Sequence, residues 1–201
     1  MTKWPGFGRC KTRLSKDIGR ANSLLIQTRI IKHTVLVAKT LQKQGLLDIS
    51  LAISGIGPKS SKRWCNNLCI QLFHLQGKGT LGEKIRRQIL LNKRNSQNKN
   101  IIIIGTDLPD LCHLDLLNTI EMFKSKDVVI GPSNDGGYWL IGFSERLFSQ
   151  SFISPFIDIE WSTSNVLQKT VEAFLSLGLN ISYLNTKIDI DEVNDLLERF
   201  K

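Results

Sequence analysis

The stretch Ile101–Leu111, IIIIGTDLPDL, decides the fold class of this chain. Four consecutive isoleucines without polar alternation predict a strand that is buried on both faces, as in the middle of a parallel sheet. Gly105 ends the run, and Asp107 follows at the C-terminal edge of the strand, where open α/β sheets bind ligands. A carboxylate at that edge could hold a divalent cation against phosphate oxygens. Alternatively, Asp107 or Asp110 could only cap the next helix.

The bulk composition predicts one cytoplasmic domain of ordinary size. The 201 residues are 41% apolar and 22% charged, which is typical of a globular protein with a hydrophobic core. No run approaches the roughly 18 apolar residues of a membrane span, and the basic N-terminal stretch has no apolar signal core. The four cysteines lack the paired spacing of a zinc site, so we expect free thiols.

Positive charge is concentrated in two stretches of the chain, whose net charge is +9. Residues 1–20 carry six Lys or Arg against Asp17, and residues 78–99 carry seven against Glu83. Localised positive charge predicts an anionic partner, either nucleic acid or a nucleotide phosphate. The few aromatic residues are not interleaved with the basic clusters, which argues against nucleic acid. A basic nucleic-acid-binding module remains an alternative.

Residues 2–13 predict a phosphate-binding loop. A glycine-rich turn can point several backbone N–H groups at one anion, and interleaved basic side chains add long-range attraction. The spacing is not that of a Walker A loop, and a disordered basic N-terminus is the alternative. The candidate phosphate-binding residues are Pro5, Gly6, Gly8, Arg9, Lys11, Thr12 and Arg13.

Two further turn-rich stretches supply candidate site residues. LQGKGTLGEKI, residues 75–85, contains Gly77, Gly79 and Gly82 as candidate nucleotide-binding positions. Thr80 and Glu83 in the same stretch have the spacing of a helix capping box. Asp135-Gly136-Gly137 is a turn signal that by itself predicts a hairpin.

Strand and helix signals alternate along the chain, with a helix predicted from about Asn22 to Leu41 and one late strand out of step. This rhythm predicts a three-layer α/β domain with a mostly parallel sheet. The two glycine-rich loops, Asp107 and the late acidic pair Asp189 and Asp191 could meet at one sheet edge. Anion-binding loops and separated carboxylates suit a nucleotide–metal complex.

Five blocks of the chain resemble, in order, the signature blocks of a bacterial glycosyltransferase family. They are WPGFGRCKTRL, LGEKI, GTDLPDL, DGGYWLIGF and DIDEVNDL. The family belongs to the GT-A, or nucleotide-diphospho-sugar transferase, superfamily, which also contains molybdopterin, phosphoenolpyruvate and sugar-phosphate nucleotidyltransferases. The resemblance implies a single α/β/α Rossmann-like GT-A domain over residues 1–201, with one antiparallel late strand in a mixed sheet. Members usually begin with a strand before the first block, and here only Met1 and Thr2 precede Lys3. Either the start of the sequence lies too far downstream, or the first strand is truncated.

The resemblance also implies roles for individual residues. Asp107 and Asp191 match metal-ligand positions, for Mg²⁺ or Mn²⁺, and Lys11 and Arg13 match basic residues that contact phosphates. Lys11, Arg13 and Asp135 are the expected catalytic residues, with Asp135 as a candidate base. The expected substrate-binding residues are Asp135, Gly136, Gly137, Tyr138 and Trp161.

Two reactions fit these expectations. A glycosyltransferase would use a nucleotide-diphospho-sugar, and the resemblance favours this reaction. A nucleotidyltransferase would join a nucleoside triphosphate to a phosphorylated acceptor and release pyrophosphate, which the dense positive charge of residues 9–13 favours. The expected partners are a nucleotide or nucleotide-sugar and a small-molecule acceptor. A non-enzymatic relic of the fold is a further alternative, motivated by the short N-terminus.

Overall fold

The structure is a computed structural model that describes residues 1–95, 99–148, 156 and 159–197. Strands and helices alternate along the chain, as the sequence predicts. The strands are β1 (Thr2–Lys3), β2 (Ser50–Ser54), β3 (Leu72–Leu75), β4 (Ile101–Ile104), β5 (Val128–Pro132), β6 (Tyr138–Phe143) and β7 (Ile181–Tyr183). The α-helices are α1 (Leu14–Lys43), α2 (Pro58–Asn67), α3 (Leu81–Asn95), α4 (His113–Met122), α5 (Val166–Ser176) and α6 (Val193–Leu197).

The chain divides into two units. The first contains Met1–Leu75, Gly105–His113 and Ile188–Lys201, and the second contains Gln76–Ile104 and Leu114–Lys187. The prediction of a single domain over residues 1–201 is not tested by this division and stays a prediction.

The first unit is built on the parallel sheet β1-β2-β3. Its central strand β2 has three consecutive buried residues, because α1 and α2 supply apolar side chains to pack against it. A two-residue first strand, β1, pairs Thr2 with Ile53 and Lys3 with Ser54, and the predicted truncation of this strand stays a prediction. The buried cluster at this sheet consists of Val35, Leu51, Ile53, Cys65 and Ile70.

Helix α1 is longer than the predicted helix from about Asn22 to Leu41. It begins at Leu14 and contains a kink at Gly19, whose φ of 81° and ψ of 159° are not helical. Glycine adopts a positive φ without steric penalty, so the chain can bend there and resume its helix. The apolar periodicity that predicts the helix becomes regular only after this kink.

The second unit is built on a four-stranded sheet in the order β4-β6-β5-β7. Strand β6 is antiparallel to β4 and β5, whereas β5 and β7 are parallel. Val128, Val129 and Ile130 of β5 are fully buried. Next to them, Phe143, Phe156 and Phe174 pack edge to face, with ring centroids 6.0–6.2 Å apart.

The predicted α/β class with mostly parallel pairing is confirmed, since both antiparallel pairs contain the late strand β6. The predicted burial of the isoleucine strand is wrong. Each of Ile101–Ile104 is half-buried, and β4 pairs antiparallel with β6. No helix in the described ranges is long and apolar enough to cross a membrane. The four cysteines are free thiols, as predicted.

Candidate functional site

The predicted phosphate loop connects β1 to α1 through consecutive turns. Gly6 N donates to Trp4 O, and Arg9 N donates to Gly6 O, both at 2.9 Å. The last turn ends at Lys11, which has a φ of 43°, a conformation that is uncommon outside glycine. The buried Ser23 hydroxyl holds this backbone by donating to the carbonyls of Cys10 at 3.2 Å and Lys11 at 3.5 Å.

Asp107 is placed by the short segment that follows β4. The buried Thr106 hydroxyl donates to the Thr2 hydroxyl of β1 at 2.9 Å. Leu108 and Leu111, which follow Asp107 in the sequence, are buried and anchor the segment. The Asp107 carbonyl accepts a hydrogen bond from Ile190 N at 3.1 Å. The backbone of Asp107 is therefore fixed, and its side chain is 43% exposed.

Asp191 is placed by the start of α6. The Asp195 carboxylate accepts hydrogen bonds from the N–H groups of Asp191 at 2.8 Å and Glu192 at 2.6 Å, which satisfies two donors at the helix start. Leu14 N donates to Asp191 O at 3.1 Å. Beside it, Leu14, Ile30 and Ile190 form a buried cluster.

Lys11 lies between the two acids that the resemblance assigns as metal ligands. Its Nζ atom is 2.7 Å from Asp107 Oδ1 and 3.2 Å from Asp191 Oδ1. The Lys11 side chain is only 3% exposed, whereas the carboxylates are 43% and 53% exposed. Burial alone lowers the pKa of Lys11, but the attraction and hydrogen bonds of Asp107 and Asp191 outweigh it, so the pKa is raised. We call Lys11, Asp107 and Asp191 the Lys11 cluster.

The Lys11 cluster has donors that fit a magnesium or manganese ion. Mg²⁺ is commonly held by one or two carboxylates, with substrate phosphate oxygens and water completing its shell. Within the described ranges, no group of three or more His, Cys, Asp and Glu could hold a metal ion, so substrate would have to complete the shell. The roles of Asp107 and Asp191 as metal ligands therefore stay a prediction.

The other predicted phosphate-binding residues lie in the same loop as Lys11. Gly8, Arg9, Thr12 and Arg13 are exposed, whereas Gly6 is buried and Pro5 is half-buried. Arg13 Nη1 lies 3.7 Å from Glu192 Oε1, with both side chains more than half exposed, so this ion pair contributes little to stability. The exposed basic groups remain available to an anion from solvent.

The Gly77–Gly82 loop belongs to the second unit, where Arg87 holds it in shape. Arg87 Nη1 donates to Gln76 O, and Arg87 Nη2 donates to Lys78 O at 3.1 Å. Gly77 between these carbonyls has a φ of +74°, and a Cβ atom there would lie 2.7 Å from Arg87 Nη1. The structure thus gives Gly77 a conformational role. Nucleotide contact by Gly77, Gly79 and Gly82 stays a prediction.

The predicted capping box at the start of α3 is present. Thr80 N donates to Glu83 Oε2 at 2.7 Å, and Glu83 N donates to Thr80 Oγ1 at 3.3 Å. The hydrogen bond from the Thr80 backbone holds the pKa of Glu83 below its ordinary value. Gly82 lies in the first turn, where a Cβ atom would be 2.7 Å from Trp161 Cζ2 and 2.8 Å from Phe156 Cβ. Gly82 therefore allows the close approach of Trp161.

Asp135, Gly136 and Gly137 form the hairpin turn between β5 and β6 that the turn signal predicts. Asp135 Oδ1 accepts hydrogen bonds from Ser133 Oγ at 2.6 Å and Gly137 N at 2.9 Å. This carboxylate oxygen stabilises the turn, as Asp side chains often do. The roles of Asp135 as a base and of this turn in substrate binding are predictions that the geometry does not test.

Tyr138 and Trp161, the remaining predicted substrate-binding residues, contact each other in the second unit. Their ring centroids are 6.5 Å apart at an interplanar angle of 76°, a favourable edge-to-face arrangement. Burial raises the pKa of the Tyr138 hydroxyl, so it stays protonated at neutral pH. Both rings serve at least a packing role.

Sequence reasoning missed two residues that shape these loops, Arg87 and Asp195. Arg87 is one of seven basic residues in its stretch, and nothing in the sequence separates it from the exposed Arg86. Asp195 does carry a signal, because an acid three residues after Glu192 can reach back to the first N–H groups of a helix.

Comparisons with known proteins place this architecture in a class. The crystal structure of a "putative nucleotide-diphospho-sugar transferase" from Desulfovibrio desulfuricans G20 superposes with a TM-score of 0.88 at 24% identity, over 99% of this chain and 83% of that chain. The predicted Rossmann-like GT-A fold is thereby confirmed. The chain belongs to the family described as "Uncharacterized protein conserved in bacteria (DUF2064)", whose pattern matches residues 37–163.

Two further solved structures share the fold. One is 4-diphosphocytidyl-2C-methyl-D-erythritol synthase from Anaerococcus prevotii DSM 20548, with a TM-score of 0.60 at 11% identity over 98% of this chain and 93% of that chain. The other is the inositol-1-phosphate CTP transferase from T. maritima, with a TM-score of 0.56 at 13% identity over 99% of this chain and 91% of that chain. No curated protein matches the chain.

Proposed function

We propose that this protein is a transferase that uses a nucleotide-activated donor, and that the donor is a nucleotide-diphospho-sugar. The observation that carries the proposal is the Lys11 cluster, in which a buried lysine and two exposed acids meet beside a basic, glycine-rich loop. The similarity to the Desulfovibrio desulfuricans G20 protein, described as a "putative nucleotide-diphospho-sugar transferase", supports the donor class.

In this function, residues of the first unit would bind and orient the diphosphate. The exposed Arg9 and Arg13 attract the anion from solvent. The Lys11 ammonium, kept charged by its raised pKa, binds phosphate oxygens and stabilises the negative charge that grows on the departing diphosphate.

Asp107 and Asp191 would hold a Mg²⁺ or Mn²⁺ ion, which when bound neutralises the diphosphate and makes it a better leaving group. In the transfer, the acceptor hydroxyl oxygen forms a bond to the sugar's anomeric carbon. The bond from that carbon to the diphosphate oxygen breaks, the nucleoside diphosphate leaves, and the hydroxyl proton passes to a base.

Nucleotidyl transfer is the second candidate function. The observation that favours it is the run of basic residues from Arg9 to Arg13, whose charge suits a triphosphate. The fold is also shared with the inositol-1-phosphate CTP transferase. Here the acceptor phosphate oxygen would attack the α-phosphorus, and the bond to the departing pyrophosphate would break.

A binding screen tests the proposal before any substrate is known. Nucleoside di- and triphosphates and their sugar conjugates are titrated with Mg²⁺, Mn²⁺ or a chelator while the melting temperature is followed. A true ligand at a hundredfold excess over its Kd adds about 2.7 kcal/mol of stability, or about 5–10 °C. Asp107→Asn should weaken metal-dependent binding about tenfold or more, whereas binding by Lys124→Met should match the wild type. Absence of nucleotide binding with either metal would refute the proposal.

The products separate the two reactions. Release of a nucleoside diphosphate from a sugar nucleotide supports sugar transfer, and release of pyrophosphate from a triphosphate with a sugar phosphate supports nucleotidyl transfer. The basic nucleic-acid-binding alternative predicts tight, steeply salt-dependent binding of DNA or RNA, which a low- and high-salt titration measures.

A further inference from the structure

The Lys11 ammonium lies where a cation would bind two carboxylates. We propose that Lys11 is a tethered counter-ion that disfavours divalent metal binding at Asp107 and Asp191 until a diphosphate draws the ammonium away, so that metal and diphosphate bind cooperatively. This inference rests on the proposed function, because it takes Asp107 and Asp191 as the metal ligands.

Charge balance is the first argument. The two carboxylates and one ammonium carry a net charge of −1, held within hydrogen-bond distances of 2.7 and 3.2 Å. A divalent cation that joined them would bring the cluster to +1, with its charge close to the ammonium of a side chain that is only 3% exposed. Like charges at this range in a partly buried setting repel strongly. A diphosphate supplies the negative charge that makes both cations compatible.

The exposure of the three side chains is the second argument that metal and diphosphate bind cooperatively. The carboxylates of Asp107 and Asp191 are 43% and 53% exposed, whereas the ammonium that they share is buried. A metal ion can therefore reach the acids from solvent, and access does not prevent its binding. The obstacle is electrostatic, which means that an added anion can remove it.

The backbone around Lys11 would allow the side chain to move alone. The Lys11 carbonyl accepts hydrogen bonds from Ser15 N at 2.9 Å and Ser23 Oγ at 3.5 Å. These bonds hold the backbone at the start of α1, and they do not involve the four-carbon side chain. Rotation about side-chain bonds can thus move the ammonium from the acids towards a phosphate while these backbone hydrogen bonds stay intact.

Manganese binding provides a test that does not depend on activity. The concentration of free Mn²⁺ is followed by its electron paramagnetic resonance signal, first with Mn²⁺ alone and then with inorganic pyrophosphate, the group common to both candidate donors. The Mn²⁺–pyrophosphate complex is measured in parallel without protein and subtracted. We expect pyrophosphate to tighten Mn²⁺ binding by the wild type at least about tenfold.

Variants of Lys11 test whether its charge is what weakens Mn²⁺ binding. Lys11→Met keeps an unbranched side chain in the positive-φ position but removes the charge, and it should bind Mn²⁺ without pyrophosphate at least about tenfold more tightly than the wild type. Lys11→Arg keeps the charge and should bind Mn²⁺ alone as weakly as the wild type. Lys124→Met, an identical change in an exposed pair with Glu121, should leave binding unchanged. Asp107→Asn added to Lys11→Met should abolish the gain.

The results of the Mn²⁺ experiment distinguish failure of the counter-ion proposal from failure of the proposed function. The counter-ion proposal is overturned if wild type and Lys11→Met bind Mn²⁺ with equal affinity. It is also overturned if pyrophosphate does not change Mn²⁺ binding by the wild type. If the wild type still binds nucleotides in that case, the proposed function stands. Conversely, a gain in Lys11→Met without any nucleotide binding refutes only the proposed function. Circular dichroism checks folding, and Lys11→Gln replaces Lys11→Met if the latter does not fold.

Discussion

The Lys11 ammonium lies 2.7 Å from the Asp107 carboxylate, although the two residues are 96 positions apart in the chain. The pair joins the end of the glycine-rich loop to the segment after the isoleucine strand.

Removing either member of the Lys11–Asp107 pair should destabilise the fold. Lys11→Met should lower the free energy of unfolding by about 1 kcal/mol, because two neighbouring carboxylates lose their shared donor but are exposed enough for water to replace it. Asp107→Asn should cost less, since Asp191 still binds Lys11. Urea unfolding of both single variants and the double variant measures the coupling, which should be about 0.5–3 kcal/mol. Additive effects would show that the Lys11–Asp107 contact contributes no coupling free energy.

Arg87 should stabilise the Gly77–Gly79 loop. Arg87→Met removes both donors to the Gln76 and Lys78 carbonyls and should cost about 1–3 kcal/mol. Amide hydrogen exchange of this loop should accelerate by more than the loss of global stability explains. Arg86→Met is the matched control, because Arg86 is the exposed neighbour of the same type. Equal effects of the two variants would rule out a specific role for the two Arg87 hydrogen bonds.

Gly82 should not tolerate a side chain. A Cβ atom would lie 2.7 Å from Trp161 Cζ2 and 2.8 Å from Phe156 Cβ, so Gly82→Ser should cost about 1–3 kcal/mol through overpacking. Gly57→Ser is the matched control, since Gly57 precedes α2 with no atom within 4 Å of its Cβ position. Serine suits this N-cap, so the control should be neutral or slightly stabilising. Thermal unfolding of both variants checks the contrast.

His74 should make the protein less stable in mild acid. Burial lowers the pKa of His74 below its ordinary value of 6.5, and no described residue bonds its Nε2 atom. As the pH falls below 6.5, the unfolded chain protonates this histidine before the folded chain does, so the free energy of unfolding decreases. Above that pH both states are neutral, and the effect vanishes.

The measurement compares wild type with His74→Gln in urea unfolding from pH 7.5 to 5. The wild type should lose more stability across this range than the variant. The same change at the exposed His113 provides the control. Parallel pH curves for wild type and His74→Gln would contradict the assignment.

The sequence predicts the fold well where local signals suffice. Glycine and proline punctuation and apolar periodicity locate nearly every strand and helix in the described ranges. The burial of Ile101–Ile104 is mispredicted, because an apolar run indicates a strand but not its neighbours in the sheet. The start of α1 is also missed, since the positive φ of Gly19 interrupts the periodic pattern without ending the helix.

The sequence singles out the three residues of the Lys11 cluster but does not predict that they contact one another. Lys11 is expected at a phosphate, and Asp107 and Asp191 are expected at a metal. In the structure these three residues bind one another. Such a pairing depends on the meeting of three segments that are far apart in the chain, which no local sequence pattern encodes. Arg87 is unpredicted for the same reason, because its targets are backbone carbonyls rather than side chains.

The discontinuity of the first unit has a consequence for protein synthesis. Lys11 and Asp191 are separated by 180 positions, and the cluster of Leu14 and Ile30 is completed by Ile190. On the ribosome, this surface of α1 therefore stays uncovered until Ile190 and Asp191 have been made. The second unit, whose pairings all lie within residues 101–187, can form earlier. Closure of the first unit thus waits until Ile190 and Asp191 have been made, and the preceding interval is the period in which nascent chains would be most prone to aggregation.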